Sequence, residues 1–241
     1  MLEGVLTGTD THVFAIVPSQ QEGIVFDDSW DNLGQRLTES GGVQITDVRV
    51  PWSDAAGFVG KEFRPRTYNT LNVPLIQLVF TNFYLGIAQG ALATATAYTR
   101  DNTRAWPYAS DLKDQASDEF YVVETYGDLQ SKLWAAEVLA ERAAAAIEAI
   151  NAHADSVTPL ERGEAAVIIA AAKQRAIDVG LEIGSRIYEV TGARATSNTV
   201  GLDLFWRNIR THSLHDPVAH KRAEVGRYAL LGEIPEPTWY T

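Results

Sequence analysis

From about residue 60 onward, apolar side chains recur every three or four positions, and they keep that spacing over three stretches of roughly 30 residues each. At 1.5 Å per residue such a helix is about 45 Å long, which suits an antiparallel bundle. The first stretch carries Leu75, Leu78, Val79, Leu85 and Leu92, with Gly86, Gly90 and Ala93 small enough for close helix packing. The second runs from near Ser117 to about Ala152. Thr158-Pro-Leu-Glu161 starts the third, with an N-cap, a proline at the first helical position and a glutamate at the third. This helix is predicted to reach about Val190 and stop at Gly192. A shorter helix is expected over Leu202 to about Arg210. Asp216-Pro217 reads as the N-cap and first position of a fifth, ending near Gly232. The tail EIPEPTWYT, with two prolines, reads as extended.

Residues 1–57 have a different grain. His12–Val17, Ile24–Phe26 and the alternating run Val43–Val50 read as strands, separated by turn residues such as Asp27, Asn32, Gly34 and Gly41. So few short strands cannot stabilise a sheet alone and must pack on something else. The expected fold is mainly α: a short antiparallel β segment over residues 1–60, then a helical bundle over 61–241.

Composition narrows the function. Twenty Lys plus Arg against thirty-one Asp plus Glu gives 20 − 31 = −11, the wrong sign for a general nucleic-acid binder. The absence of Cys excludes disulfides, thiolate nucleophiles and Cys-ligated metal sites. MLEGVLTGTDTHV lacks the basic-then-apolar order of a secretion signal. Leu75–Ala97 is apolar but interrupted by Gln77, Asn82 and Gln89, so it is expected to be a core helix and not a membrane span. A cytoplasmic location is the expectation.

The stretch from Arg194 to Arg222 holds most of the candidate chemistry. Arg194, Arg207, Arg210, Lys221 and Arg222 face Asp203 and Asp216, a local balance of 5 − 2 = +3. Such an island can hold an anion such as a phosphate, or its cations can pair with acids on neighbouring helices. His212 and His215 flank the predicted helix junction. Metal ligation has no completing carboxylate in a recognisable motif. Proton transfer or hydrogen bonding to a reactive oxygen suits a junction histidine, as does capping the preceding helix. Elsewhere, Trp30 sits in a polar turn, Ser40 in the Gly-rich turn Thr38–Gly42, and Arg104 beside Trp106 in an interhelical loop. No GxGxxG, GxxxxGK[ST], GxSxG or HExxH motif occurs.

WDNLGQRLTESGG, YTRDNTRAW, TGARATS, FWRNIRTHSLHDPVAHK and VGRYALLGEIPEPTWYT together resemble the acyl-CoA dehydrogenase superfamily. Within it they resemble the flavin-dependent monooxygenase branch typified by dibenzothiophene monooxygenase and related sulfur-acquisition oxygenases. The order of elements is similar to the C-terminal part of that family: the second half of a middle β domain, then the bundle. The resemblance implies that Trp30 lies against the flavin and that Ser40 hydrogen-bonds the flavin or its phosphate end. It implies that Arg104 and Arg194 clamp the FMN phosphate, partly across a subunit interface, and that His215 touches the cofactor. His212 is then expected near the flavin C4a position, stabilising the peroxide formed from reduced flavin and oxygen. It further implies an apolar, organosulfur-type substrate, a separate flavin reductase, and a homodimer or homotetramer. The alternatives are an FAD-dependent acyl-CoA dehydrogenase with Asp216 as base, and a non-catalytic oligomerisation fragment. Asp216, followed by Pro and committed to an N-cap, is expected to be a poor base.

Overall fold

The three long periodic stretches are helices of nearly equal length. They are α1 (Asn72–Asn102, 31 residues), α2 (Phe120–Asn151, 32 residues) and α3 (Pro159–Thr191, 33 residues). Two shorter helices follow, α4 (Asp203–His212) and α5 (Val218–Leu231). The computed structural model describes residues 1–238 and 241 and divides them into two units. One is Met1–Asn32 with Arg36–Asn69; the other is Leu33–Gln35 with Thr70–Thr241. The division falls at 69/70, where the change of periodicity had suggested 60/61.

In the helical unit α3 is central, packing against α1, α2, α4 and α5. Its start is the capping box legible in the sequence. Thr158 Oγ1 accepts from the Glu161 amide at 3.2 Å, and the Glu161 carboxylate accepts from the Thr158 amide at 2.8 Å. Glycine on α3 then decides where α4 lies. A Cβ on Gly180 would stand 2.8 Å from Ile209 Cδ1, and one on Gly184 would stand 3.0 Å from Trp206 Cβ. Across α1, Phe205 Cε1 would be 3.1 Å from a Cβ on Gly90. The helix thus settles antiparallel to α3 in a groove that larger side chains would fill. This carries its last residue, His212, to the middle of the bundle.

The apolar stretch expected to be a core helix is α1. It packs on α3, α2 and α4, with buried positions spaced three or four apart, among them the polar Gln77 and Thr81. The tail after α5 is held by Arg162, buried on α3, whose guanidinium donates to Thr70 O, Pro235 O and Thr241 O. Trp239 and Tyr240 of the quoted tail lie outside the described residues.

The first unit is a set of small antiparallel pairings. β1 (Leu2–Val5) pairs with β2 (His12–Ala15), and β2 pairs with β5 (Ala55–Ala56). β3 (Ile24–Phe26) pairs with β4 (Val43–Ile45), and β6 (Phe58–Val59) with β7 (Glu62–Phe63). The strand expected over Val43–Val50 stops at Ile45, because Asp47 turns the chain with φ +52°. Its three residues are all exposed, so the alternation does not mark a buried face here.

Candidate functional site

His212 ends α4 against the middle of α1. Its Nδ1 lies 2.7 Å from the hydroxyl of Tyr84, a fully buried residue. Phe80 stands edge-on at 4.4 Å between ring centroids, Phe83 at 5.2 Å, and the His215 ring is stacked at 6.0 Å. Burial pushes the His212 imidazole below its ordinary pKa; the neighbouring His215 and the Lys173 cation push it the same way, against Asp216. The ring is therefore neutral near pH 7. His215, in contrast, is mostly exposed.

Asp216 closes the turn after α4, but not as the expected helix cap. Pro217 holds the N-cap position of α5, with no side-chain cap hydrogen bond. The Asp216 carboxylate instead accepts from Lys173 Nζ of α3 at 2.5 Å, and both residues are buried. A buried lysine needs such a partner, since burial otherwise pushes its pKa down. The second Asp216 oxygen is buried without a partner, as are Arg210 Nε and Thr211 Oγ1 beside it in the chain. The Asp216 carboxylate is thus committed to the Lys173 ammonium and not to the helix cap the sequence suggested.

The cationic island largely dissolves into pairs. Arg207 binds Asp203 at 2.7 Å, Arg222 binds Asp178 at 2.6 Å, and buried Lys221 binds Glu224 at 2.7 Å. Arg194 stays exposed and unpaired among the described residues, and so does Arg104. Both belong to the same end of the bundle. Thr103 Oγ1 donates to Thr191 O at 3.1 Å, joining the loop that carries Arg104 to the end of α3 just before Arg194. That end is far from His212. From Tyr84 to Thr99 on α1 is 15 residues and from Lys173 to Thr191 on α3 is 18, so the separation is on the order of 25 Å.

Trp30 and Ser40 belong to the first unit. Ser40 is exposed, and its hydroxyl donates to Thr38 Oγ1 at 3.0 Å. The Gly-rich turn beside it is pinned by Asp27, whose carboxylate accepts from the Gly42 amide at 2.6 Å and from Ser29 Oγ at 2.5 Å. These bonds hold the Asp27 carboxyl below its ordinary pKa. A Cβ on Gly42 would sit 2.2 Å from Asp27 Oδ2, so glycine is needed there, and that amide is not free for a ligand. The motif containing Gly34 proves structural: Gln35 N donates to Asn208 Oδ1 at 2.8 Å, and a Cβ on Gly34 would meet Arg207 O at 2.1 Å. Among the described residues, no group of three His, Asp or Glu is placed to hold a metal ion.

Sequence reasoning missed Tyr84 and Lys173. Both sit in the buried stripes of long helices, where periodicity reports only core. A lysine in an apolar stripe was the one available signal.

The model of the family described as acyl-CoA dehydrogenase, C-terminal domain, matches residues 78–219. The chain belongs to this family. The match takes in α1 from Leu78 to the start of α5 and so contains the His212 cluster. Among curated relatives, a dibenzothiophene monooxygenase of Mycolicibacterium goodii is 42% identical over 228 residues, covering 93% of this chain and 54% of the relative. A Pseudomonas putida protein named "Probable FMNH2-dependent monooxygenase SfnC" is 38% identical, covering 95% of this chain and 57% of its own. The solved methanesulfinate monooxygenase MsuC of Pseudomonas fluorescens superposes with a TM-score of 0.92 at 38% identity, over 99% of this chain and 61% of that one. The chain spans a little over half the length of these proteins.

Proposed function

We propose that this family member is the C-terminal portion of a reduced-FMN-dependent monooxygenase acting on an organosulfur or similar apolar small molecule. One observation carries the reading: a neutral, half-buried imidazole, hydrogen-bonded from behind by Tyr84 and walled by Phe80 and Phe83. The relatives' names point the same way. Reduced FMN, when bound, supplies the activation of dioxygen. The residues present fit such a group. Arg104 and Arg194 offer exposed guanidiniums to its phosphate, and the buried, unpartnered Arg210 Nε and Thr211 Oγ1 lie next to His212 in the chain.

Each side chain then has a defined task. His212 hydrogen-bonds the reacting oxygen, with His215 at the cofactor's edge. Phe80 and Phe83 exclude water. Trp30 and Ser40 are further cofactor contacts in this reading, as the family resemblance implies. The arginine end and the histidine end of one chain are farther apart than the ring and phosphate of one FMN. The site is therefore built from two copies, the arginines of one serving the histidines of another in a homodimer or homotetramer. With no GxGxxG motif in the sequence, the reducing equivalents come from a separate flavin reductase.

The test is a titration of the purified chain, its oligomeric state set by size-exclusion chromatography, with FMN and FAD, oxidised and anaerobically reduced. The expected result is FMN binding, tighter when reduced and at least about tenfold weaker in Arg194→Ala, the effect of losing one charge-assisted contact. A clean oligomer that binds neither flavin would overturn the reading and leave the chain a scaffold.

A further inference from the structure

Groups from four elements surround His212. From α1 come the Tyr84 hydroxyl and the Phe80 and Phe83 rings. From α3 comes Lys173, bound to Asp216 and 5.8 Å from the Phe80 ring centre. Arg210 comes from α4 itself, and His215 and Asp216 from the turn after it. Of these, Tyr84 alone hydrogen-bonds the imidazole.

Which atom carries the proton in that bond follows from burial. Tyr84 has no solvent exposure, and burial, with Asp216 adding to it, pushes its phenol above the ordinary range. The phenol is therefore an intact O–H at any working pH, and a buried O–H has to donate. His212 Nδ1 is the acceptor it meets among the described residues. An Nδ1–H tautomer would donate to the phenol oxygen and turn the phenol proton away, and Tyr84 forms no hydrogen bond to another acceptor among the described residues. Nδ1 is thus bare, and in the neutral ring the hydrogen is on Nε2. Among the described residues Nε2 has no partner, and it is not among the sealed, unsatisfied atoms.

We propose that Tyr84 is a positioning residue that locks His212 as the Nε2–H tautomer, so that the ring presents a hydrogen-bond donor, and not a base, to an oxygen-bearing ligand beside Phe80 and Phe83. The identity of that ligand rests on the reading above; the tautomer rests on this chain's own geometry. The competing acceptor is the unpartnered Asp216 Oδ2. A phenol turned toward it would accept at its oxygen from an Nδ1–H, the opposite tautomer.

The experiment is a long-range proton–nitrogen correlation spectrum of chain labelled with 15N-histidine, at about pH 8, above the ordinary histidine range. The sequence has five histidines, and His212 is identified by the signals lost in His212→Gln. Nε2 is expected at an N–H position and Nδ1 at an acceptor position, shifted from that of an unbonded ring nitrogen. In Tyr84→Phe, Nδ1 should move to the unbonded position while the other four histidines keep their signals. An Nδ1–H signature in the native chain, an Nδ1 already unbonded there, or an Nδ1 unmoved by Tyr84→Phe would each overturn the proposal. The native spectrum decides by itself should the variant fail to fold. No flavin is in the sample, so this result and the flavin titration succeed or fail separately.

Discussion

The two ends of the proposed site differ in how they are finished. Around His212 the imidazole finds Tyr84 on α1 and the Asp216 carboxylate finds Lys173 on α3, although Asp216 Oδ2, Arg210 Nε and Thr211 Oγ1 stay buried and unpartnered. Around Thr191, a length of helix away, Arg104 and Arg194 stand exposed and unpaired among the described residues, in a chain carrying 31 acidic side chains. Folding pairs the buried Lys173 and Asp216 charges of the first end by itself. The second carries two exposed cations whose counter-charge, in the proposed reading, comes from a ligand or a second copy.

If that contrast is right, the largest effect belongs to Lys173. Lys173→Met leaves Asp216 buried and unpaired, and should cost about 3–5 kcal/mol in urea unfolding. Adding Asp216→Asn should recover more than half of the loss, because the uncompensated charge is then gone. A single variant that unfolds at the native midpoint would show that the pair is wetter than its geometry indicates. It would also erase the contrast between the two ends.

A smaller effect concerns pH. His212 has a folded pKa below its unfolded value of 6.5, chiefly through burial. Below about pH 6.5 the unfolded chain takes up this proton before the folded one does, so stability is full above that value and falls as the solution is acidified. His212→Gln should flatten part of the fall between about pH 7.5 and 5.5 in a series of unfolding midpoints. A slope identical to that of the native chain would place the imidazole in solvent-like surroundings and remove the wall that Phe80 and Phe83 are taken to form.

The sequence disclosed whatever is local. The Thr158–Glu161 box is written within four residues and folded as written. Three long helices followed from periodicity, because a stripe of apolar residues has few other ways to be buried. Asp216-Pro217 has the same local form as a cap but is overruled by Lys173, 43 positions away, a partner no window on the sequence contains. Tyr84 is hidden for the same reason, its acceptor lying 128 residues on. The island after Arg194 was half legible: Arg207 and Asp203 stand at i and i+4 and pair, whereas the Arg222–Asp178 pair needed the packing of α5 on α3. What the sequence placed but could not join were the arginines and the histidines. Both sets carry the right chemistry, and only helix length shows that one chain keeps them apart.

The smallest expected effect is the most pointed. Arg104→Ala and Arg194→Ala, alone or together, should change unfolding free energy by less than about 0.5 kcal/mol, because neither guanidinium has a partner to lose among the described residues. The same double variant should weaken reduced-FMN binding by far more than that. A residue that holds its own fold together changes both measurements, whereas one held in reserve for a ligand changes only the second. Should the double variant lose several kcal/mol of stability at low protein concentration but not at high, the arginines pair with acids of a second copy. The bundle end would then be an interface first and a phosphate site only by consequence. Should stability hold at every concentration while flavin affinity falls, the cations are left open by the fold and closed by the ligand.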